Sequence, residues 1–574
     1  MAPSRWHRRR QSSSLFQIFT ALVMSVGLGF VCFVLAYPAP PPPALSPGDI
    51  PVLPGFWIPQ GPAPVENAVL IASPNSEADG AIEAVAAHPA NADIIYVGAV
   101  NGGIWKTTNG MSASPTWRPL TDDQKSLSIG ALKFDPTDRT SNTLIAGVGR
   151  FSSFGKVGGP RTGLLRTTNG GSTWTVIDGG GRLTGSNISG VAARGSTMLA
   201  ASDNADDLVC NNIGLFRSID GGTSFSLLSG TAGAGLPGGK VFDLTEDPVN
   251  TAVLYAPILN VTPCTSGGTS GLYKSTNSGA TWNLVSDATM NGQFTDKTVN
   301  SRIAVGANDN VYIGIVNSGE LAGLFHSTDG GASWTALDVP MINPGLQGST
   351  HFSIVADAKN PAVVYVAGDA LEMFRLDSTK AKGSQATPLG LGGTANDTVP
   401  HSDSRGMMFD AKNNLLEVDD GGIYRRTSPD NNTGDWFSIV NNLQVTELDV
   451  LAFDANSNII FGGAQDIGAL IQTSTGDARW KNAIGGDGGD VEVDVTSSAP
   501  NSIRYMSRQF LGGFRRAIYN PSNVLLDMVT PSLTVIGGGA KLFPQFVAPL
   551  KINAINPRRI VIGGRNALYE SFDQ

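Results

Sequence analysis

The residues of this chain with the most chemical potential are six aspartates in its second half: Asp403, Asp419, Asp420, Asp466, Asp487 and Asp490. They stand in or beside glycine-rich segments: His401-Ser402-Asp403, Asp419-Asp420-Gly421-Gly422, Gln465-Asp466 after Gly462-Gly463-Ala464, and Gly485 to Asp490. Two carboxyls about 6.5–9.5 Å apart can serve as the acid and base of an inverting glycoside hydrolysis. Asp487 and Asp419 are the candidates for such a pair. Asp403, Asp420, Asp466 and Asp490, with Arg405, are candidates for ligand binding. Each competes with a plainer role, because Asp side chains also bond their own turn backbone.

Metal and nucleophile chemistry find less support. The loop from Gly485 to Asp490 offers oxygen ligands that suit Ca²⁺, yet it lacks the alternating acidic ladder of a calcium loop. No other cofactor is expected. With five histidines and no His/Cys cluster, a zinc site is not expected either. No Gly-x-Ser-x-Gly elbow, phosphate-cradling loop or redox cysteine pair occurs.

The elements that must position these residues announce themselves as repeats. Four octets, Thr167 to Trp174, Ser218 to Phe225, Ser275 to Trp282 and Ser327 to Trp334, fit (Ser/Thr)-x-(Asp/Asn)-x-Gly-x-x-(Trp/Phe). The Asx and hydroxyl side chains can hold a tight turn, Gly takes the positive φ it needs, and the aromatic packs back on the sheet. Asn169, Asp220, Asn277 and Asp329 are therefore read as turn residues, with Trp174, Phe225, Trp282 and Trp334 as their packing partners. Closing aromatics from Trp117 to Trp334 recur every 51 to 57 residues. Trp436 follows two periods later, across a repeat without an octet.

A softer repeat runs alongside: a strand that often ends in Asp-Pro or Asn-Pro, a second strand, then Gly-aliphatic-aromatic-basic. It gives ten copies, starting near Ile82, Ile129, Ile188, Val241, Arg302, Phe352, Gly406, Leu448, Val491 and Leu550. Short apolar runs between Gly, Asn and Pro clusters read as strands. Repeats of this size suit one four-stranded propeller blade each.

The octets resemble the Asp-box, or bacterial neuraminidase repeat. Residues 80 to 574 are similar to exported sortilin-like and xyloglucanase-like propellers, through segments such as Gly102-Gly103-Ile104-Trp105-Lys106, Asp420-Gly421-Gly422-Ile423-Tyr424 and Gly485 to Gly489. The resemblance implies an all-β fold of about ten blades. The expectation is a seven-bladed ring over 66–445 followed by part of a second ring over 446–574; one large ten-bladed ring is the rival. Xyloglucanase-type enzymes carry a catalytic Asp in an Asp-x-Gly-Gly segment of their first blade. Here that segment reads Val100-Asn101-Gly102-Gly103, so the carboxylate is absent. Their relatives also carry His-x-Asp-x-His, where this chain places Arg405 in the second His position. A sialidase would need an early Arg-Ile-Pro, which does not occur.

Composition and the N-terminus bound the setting. A net charge of −9 argues against nucleic acid. Residues 1–14 are basic, through Arg5, His7, Arg8, Arg9 and Arg10, and 15–37 form an apolar run read as a signal anchor or signal peptide. Residues 38–65, rich in proline at their start, read as a stalk. Everything beyond is expected outside the cytoplasm, which permits a Cys210–Cys264 disulfide; two free thiols are the alternative. The last residues, Leu568 to Gln574, read as a third strand running into an octet cut short.

These features favour an exported, non-catalytic scaffold that binds glycan or protein. A xyloglucanase-like glycoside hydrolase acting on polysaccharide through paired carboxylates is the alternative. A membrane-complex assembly factor, a third class, is disfavoured by the chain's length.

Overall fold

The computed structural model describes residues 57–67, 76–203, 209–264, 267–536 and 541–574. The basic segment and the apolar run ahead of Tyr37 lie outside the described residues. Among those described, no helix is long and apolar enough to cross a membrane.

Ten sheets follow one another along the chain as blades 1 to 10, spanning 82–119, 129–177, 188–227, 239–284, 298–336, 353–388, 406–438, 448–484, 492–529 and 550–571. Each is an antiparallel meander whose strands lie in chain order; blades 1 to 9 have four strands or more and blade 10 has three. The protein is an all-β propeller.

Blades 1 to 7 close into a ring. Ile82, Val97, Trp105 and Trp117 of blade 1 share one apolar cluster with Leu416, Val418 and Ile423 of blade 7 and with Val440 just beyond it. The Trp117 indole donates to the Ile439 carbonyl at 2.8 Å. A basic residue on the third strand repeats the same clasp around the ring. Lys106 reaches the Gly170 carbonyl, Arg217 that of Ser278, Lys274 that of Gly330 and Arg375 that of Pro429. Arg425 then completes the circle on Gly110. The basic position of the softer repeat thus ties blades 1, 3, 4, 6 and 7 each to the turn of the next blade. Blade 5 has His326 there, which stacks on Tyr312 and bonds Asn310 instead.

The octets are turns held by one recurrent set of bonds. In the octet of blade 3, Ser218 Oγ donates to Asp220 Oδ1 and accepts from Gly222 N, while Asp220 Oδ1 also accepts from Ser224 N. Asn169, Asn277 and Asp329 repeat the pattern. Hydroxyl and amide donors hold the Asp220 and Asp329 carboxyls down to about 2. Trp174, Phe225 and Trp282 are buried. Trp334 packs beside the cluster between blades 4 and 5. A disulfide joins Cys210 and Cys264, in the loops of blades 3 and 4.

Blades 8, 9 and 10 stack on one another through two further clusters. Leu451 and Phe453 on blade 8 remain exposed, as do Ile555, Leu568 and Phe572 around blade 10. Blade 8 also takes a fifth strand from far upstream: Val65–Glu66 pairs in parallel with Trp480 and Lys481. Ala63 N donates to the Ala478 carbonyl, and the Trp480 indole donates to Gln60. The stalk expected to run to residue 65 therefore ends earlier, since residues 60–66 are secured to blade 8 by backbone pairing.

Candidate functional site

The inner strands carry the device that aims the site. A bulge interrupts pairing after the first residue of this strand in blades 1, 2, 3, 5 and 8, leaving Glu83, Gly130, Ser189, Val299 and Asp449 as the extra residues. Bulges re-aim side chains at sheet ends. In blade 1 the bulge sends Glu83 into the ring, where it meets Arg405 at 2.8 Å and Arg302 at 3.2 Å.

Arg405, at the entry of blade 7, is completely buried and satisfied from several sides. It donates to Glu83, to Asp420, to the Phe151 carbonyl and to Ser153 Oγ. Beside it, His351 lies between two carboxylates, Asp403 at 3.0 Å from Nδ1 and Asp420 at 3.1 Å from Nε2. Burial alone would lower the imidazole, but these carboxylates outweigh it and raise it to about 9. Burial pushes Asp420 up, yet Arg405 and His351 hold it well below the usual range.

Ser153, His351 and Asp403 line up as nucleophile, base and orienting acid would, with Ser153 Oγ 3.2 Å from His351 Nε2. The electrostatics exclude that use at neutral pH. An imidazolium has no lone pair to accept the serine proton, and Ser153 Oγ already donates to Asp420 at 2.8 Å. The group acts as an ion-pair scaffold.

Asp419, read as a catalytic candidate, is fully buried; its Oδ1 accepts from Gly421 N and no substrate can reach it. Two positions along the same strand, Glu417 is buried on the same face. Burial pushes both carboxyls up, aided at Glu417 by the charges of Asp420 and Asp403 and at Asp419 by the charge of Glu417. The two carboxyls hydrogen-bond to one another, and Glu417 also to Ser404.

Asp487 is half-buried on the loop between blades 8 and 9. Its Oδ1 accepts from Gln465 Nε2 at 2.6 Å and from Asp466 N at 3.1 Å, and its Oδ2 accepts from Gln509 Nε2 at 2.9 Å. Asp449, the bulge residue of blade 8, is exposed. What burial it has, together with the charge of Asp487, raises its carboxyl above the usual range. Asp466 is raised by burial and by Asp420, Asp487 and Asp403 around it.

Asp490 has a different task. Its oxygens accept from Val491 N and Leu550 N, as those of Asp243 accept from Leu244 N and Ile303 N, so both residues clip one inner strand to the next blade. Beside Asp487, Phe510 is half exposed on a left-handed backbone (φ 57°), an uncommon state for a bulky residue. Its ring meets Phe546, which in turn meets Phe154 from a loop of blade 2.

The structure thus brings Asp403, Asp420 and Arg405 together with Asp466, and sets Asp487 beside them. It leaves Asp419 and Asp490 out of reach of a substrate. Glu83, Ser153, His351 and Asp449 escaped the reading of the residues. His351 and Glu83 share a signal that could have found them: each is an ionisable residue beside the first inner-strand residue of a repeat copy.

No protein-family model and no curated protein matches the chain. Solved structures do. The GH74 enzyme of Niastella koreensis shares 14% identity over 86% of this chain and 71% of its own, with a TM-score of 0.57. The GH74 xyloglucanase of Xanthomonas campestris shares 16% over 86% and 79%, with a TM-score of 0.51. An ancestral GH74 enzyme shares 15% over 88% and 68%, with a TM-score of 0.56. The class defined by sheets and likeness together is the β-propeller, and at these identities the likeness is one of fold.

Proposed function

We propose that this chain binds polysaccharide and cleaves it as a xyloglucanase-like glycoside hydrolase, with Asp449 as proton donor and Asp487 as the base that activates water. One observation carries the reading. Asp449 is exposed and Asp487 half-buried, and burial followed by the charge of Asp487 raises the Asp449 carboxyl. A carboxyl raised above its usual range suits a proton donor, which leaves its neighbour the part of base. Gln465, Gln509 and the Asp466 amide hold the Asp487 carboxylate in place by donating to it. Phe510 offers an aromatic face of the kind sugar rings stack on. The fold likeness to GH74 enzymes guides the choice of substrate, a β-glucan-type polysaccharide such as xyloglucan.

The test is release of reducing ends from xyloglucan by the purified chain, with Asp487→Asn and Asp449→Asn as controls. Turnover that survives both substitutions would refute these roles. Saturable binding with no turnover in the wild type would instead support a recognition scaffold for glycan or protein. That second reading rests on Val100, a fully buried apolar residue where a xyloglucanase-type first blade has its aspartate.

The four octets are, in this reading, Asp-boxes of the neuraminidase-repeat type. The basic segment and the apolar run from Leu15 to Tyr37 carry the remainder out of the cytoplasm, as signal peptide or membrane anchor, into a setting where the Cys210–Cys264 bond is stable.

A further inference from the structure

The inner strands of blades 1 to 7 enclose a cavity of about 920 Å³ inside the ring, a volume within the range of small-molecule sites. Glu83, Arg302 and Arg405 meet at the end where these strands begin. The turns around Pro136 and Pro248, which follow such strands, rim the other end. Val85, Val305, Val355 and Met408, all half-buried, supply an apolar wall.

A second observation concerns Arg302, whose donors outnumber its partners. Its Nη2 donates to Glu83 at 3.2 Å, while the other oxygen of Glu83 serves Arg405 at 2.8 Å. Its Nε is buried and has no hydrogen-bond partner among the described residues. A buried donor left unmet is costly, and a guanidinium presents its donors as a fork that a carboxylate fits. The side chain keeps 18% of its surface, so a ligand in the cavity can reach it. Besides Glu83, five acids line the cavity, and all are engaged. Asp243 accepts from Leu244 N and Ile303 N, and Glu246 is paired with Arg194. Asp135, Asp138 and Asp247 accept from backbone amides near the rim. Lys133 is engaged too, on the Leu244 carbonyl.

We infer that this cavity binds a small monocarboxylate with an apolar body, its carboxylate on Arg302 and its chain against Val85, Val305, Val355 and Met408. The five acids permit one anionic head at Arg302 and disfavour a polyanion. The site is separate from Asp449 and Asp487, so it stands whether or not the chain cleaves polysaccharide.

The experiment is calorimetric titration of the full chain with sodium octanoate, beside 1-octanol, which lacks the charge, and sodium galacturonate, which lacks the apolar body. The expected result is saturable binding of octanoate near one per chain, with each of the other two at least about tenfold weaker. Arg302→Gln leaves Glu83 paired with Arg405 and should weaken octanoate at least about tenfold while the chain still melts cooperatively. Val355→Phe, which narrows the cavity, should weaken octanoate and octanol alike. If Arg302→Gln fails to fold, Val355→Phe decides. The proposal is overturned if octanoate does not bind saturably, or if octanol or galacturonate binds as tightly. It is equally overturned if octanoate binding is unchanged in whichever variant folds.

Discussion

Glu83 and Asp449 occupy the same bulge of the same inner strand, one in blade 1 and the other in blade 8, and their fates differ. Glu83 is buried and held by Arg405 and Arg302. Among the described residues Asp449 has no cationic partner; it is exposed and faces Asp487. The ring covers both faces of every blade and converts an inward carboxylate into part of its own scaffold. Blades 8 to 10 leave apolar and acidic groups facing solvent. The same local device thus gives structure in one region and a candidate for chemistry in the other.

The contrast breaks most severely at Arg405. Replacing it by Met strands Glu83 and Asp420 as buried charges, with an expected loss of about 3–5 kcal/mol. Arg479→Ala, which removes the exposed pair with Glu66, should change stability by less than about 1 kcal/mol. Chemical denaturation of the two variants side by side measures the difference.

His351 gives the next largest effect, through pH. Its folded value of about 9 lies above the unfolded value near 6.5. Its contribution is fully present below about pH 6.5 and is lost as pH rises through 9. The shift corresponds to something on the order of 3 kcal/mol. Stability measured from pH 6 to 9.5 should fall, and His351→Gln should flatten that slope. An unchanged slope would mean that the imidazole is not charged in the fold.

How much of this could be read from the residues alone follows from the range of the forces involved. The octets were legible because their bonds are local: Ser218, Asp220, Gly222 and Ser224 satisfy one another within a single turn. The ten copies correspond to ten sheets for the same reason. The site was partly legible: Asp420, Asp466 and Asp487 stand out by their glycine-rich setting, and Asp403 by the His401-Ser402-Asp403 segment. Their partners did not, because Arg405 meets Glu83 across 322 positions and Ser153 meets Asp420 across 267. The burial of Asp419 was equally hidden, since it depends on how the neighbouring blade packs against that strand face.

Smaller effects sharpen the comparison. Ser218→Ala removes one octet's acceptor for Gly222 N and should cost about 1 kcal/mol, seen as a lowered denaturation midpoint. Leu451→Ser, on the open face of blade 8, should stay within about 0.5 kcal/mol of the wild type. A large loss there would mean that this face is covered in solution.

The most direct measurement is hydrolysis of xyloglucan by the full chain and by Asp487→Asn at matched thermal stability. The account predicts measurable release of reducing ends by the wild type and a fall of at least about a hundredfold in the variant. Equal rates in the two proteins, or no release by the wild type under conditions where it binds the polysaccharide, would contradict it.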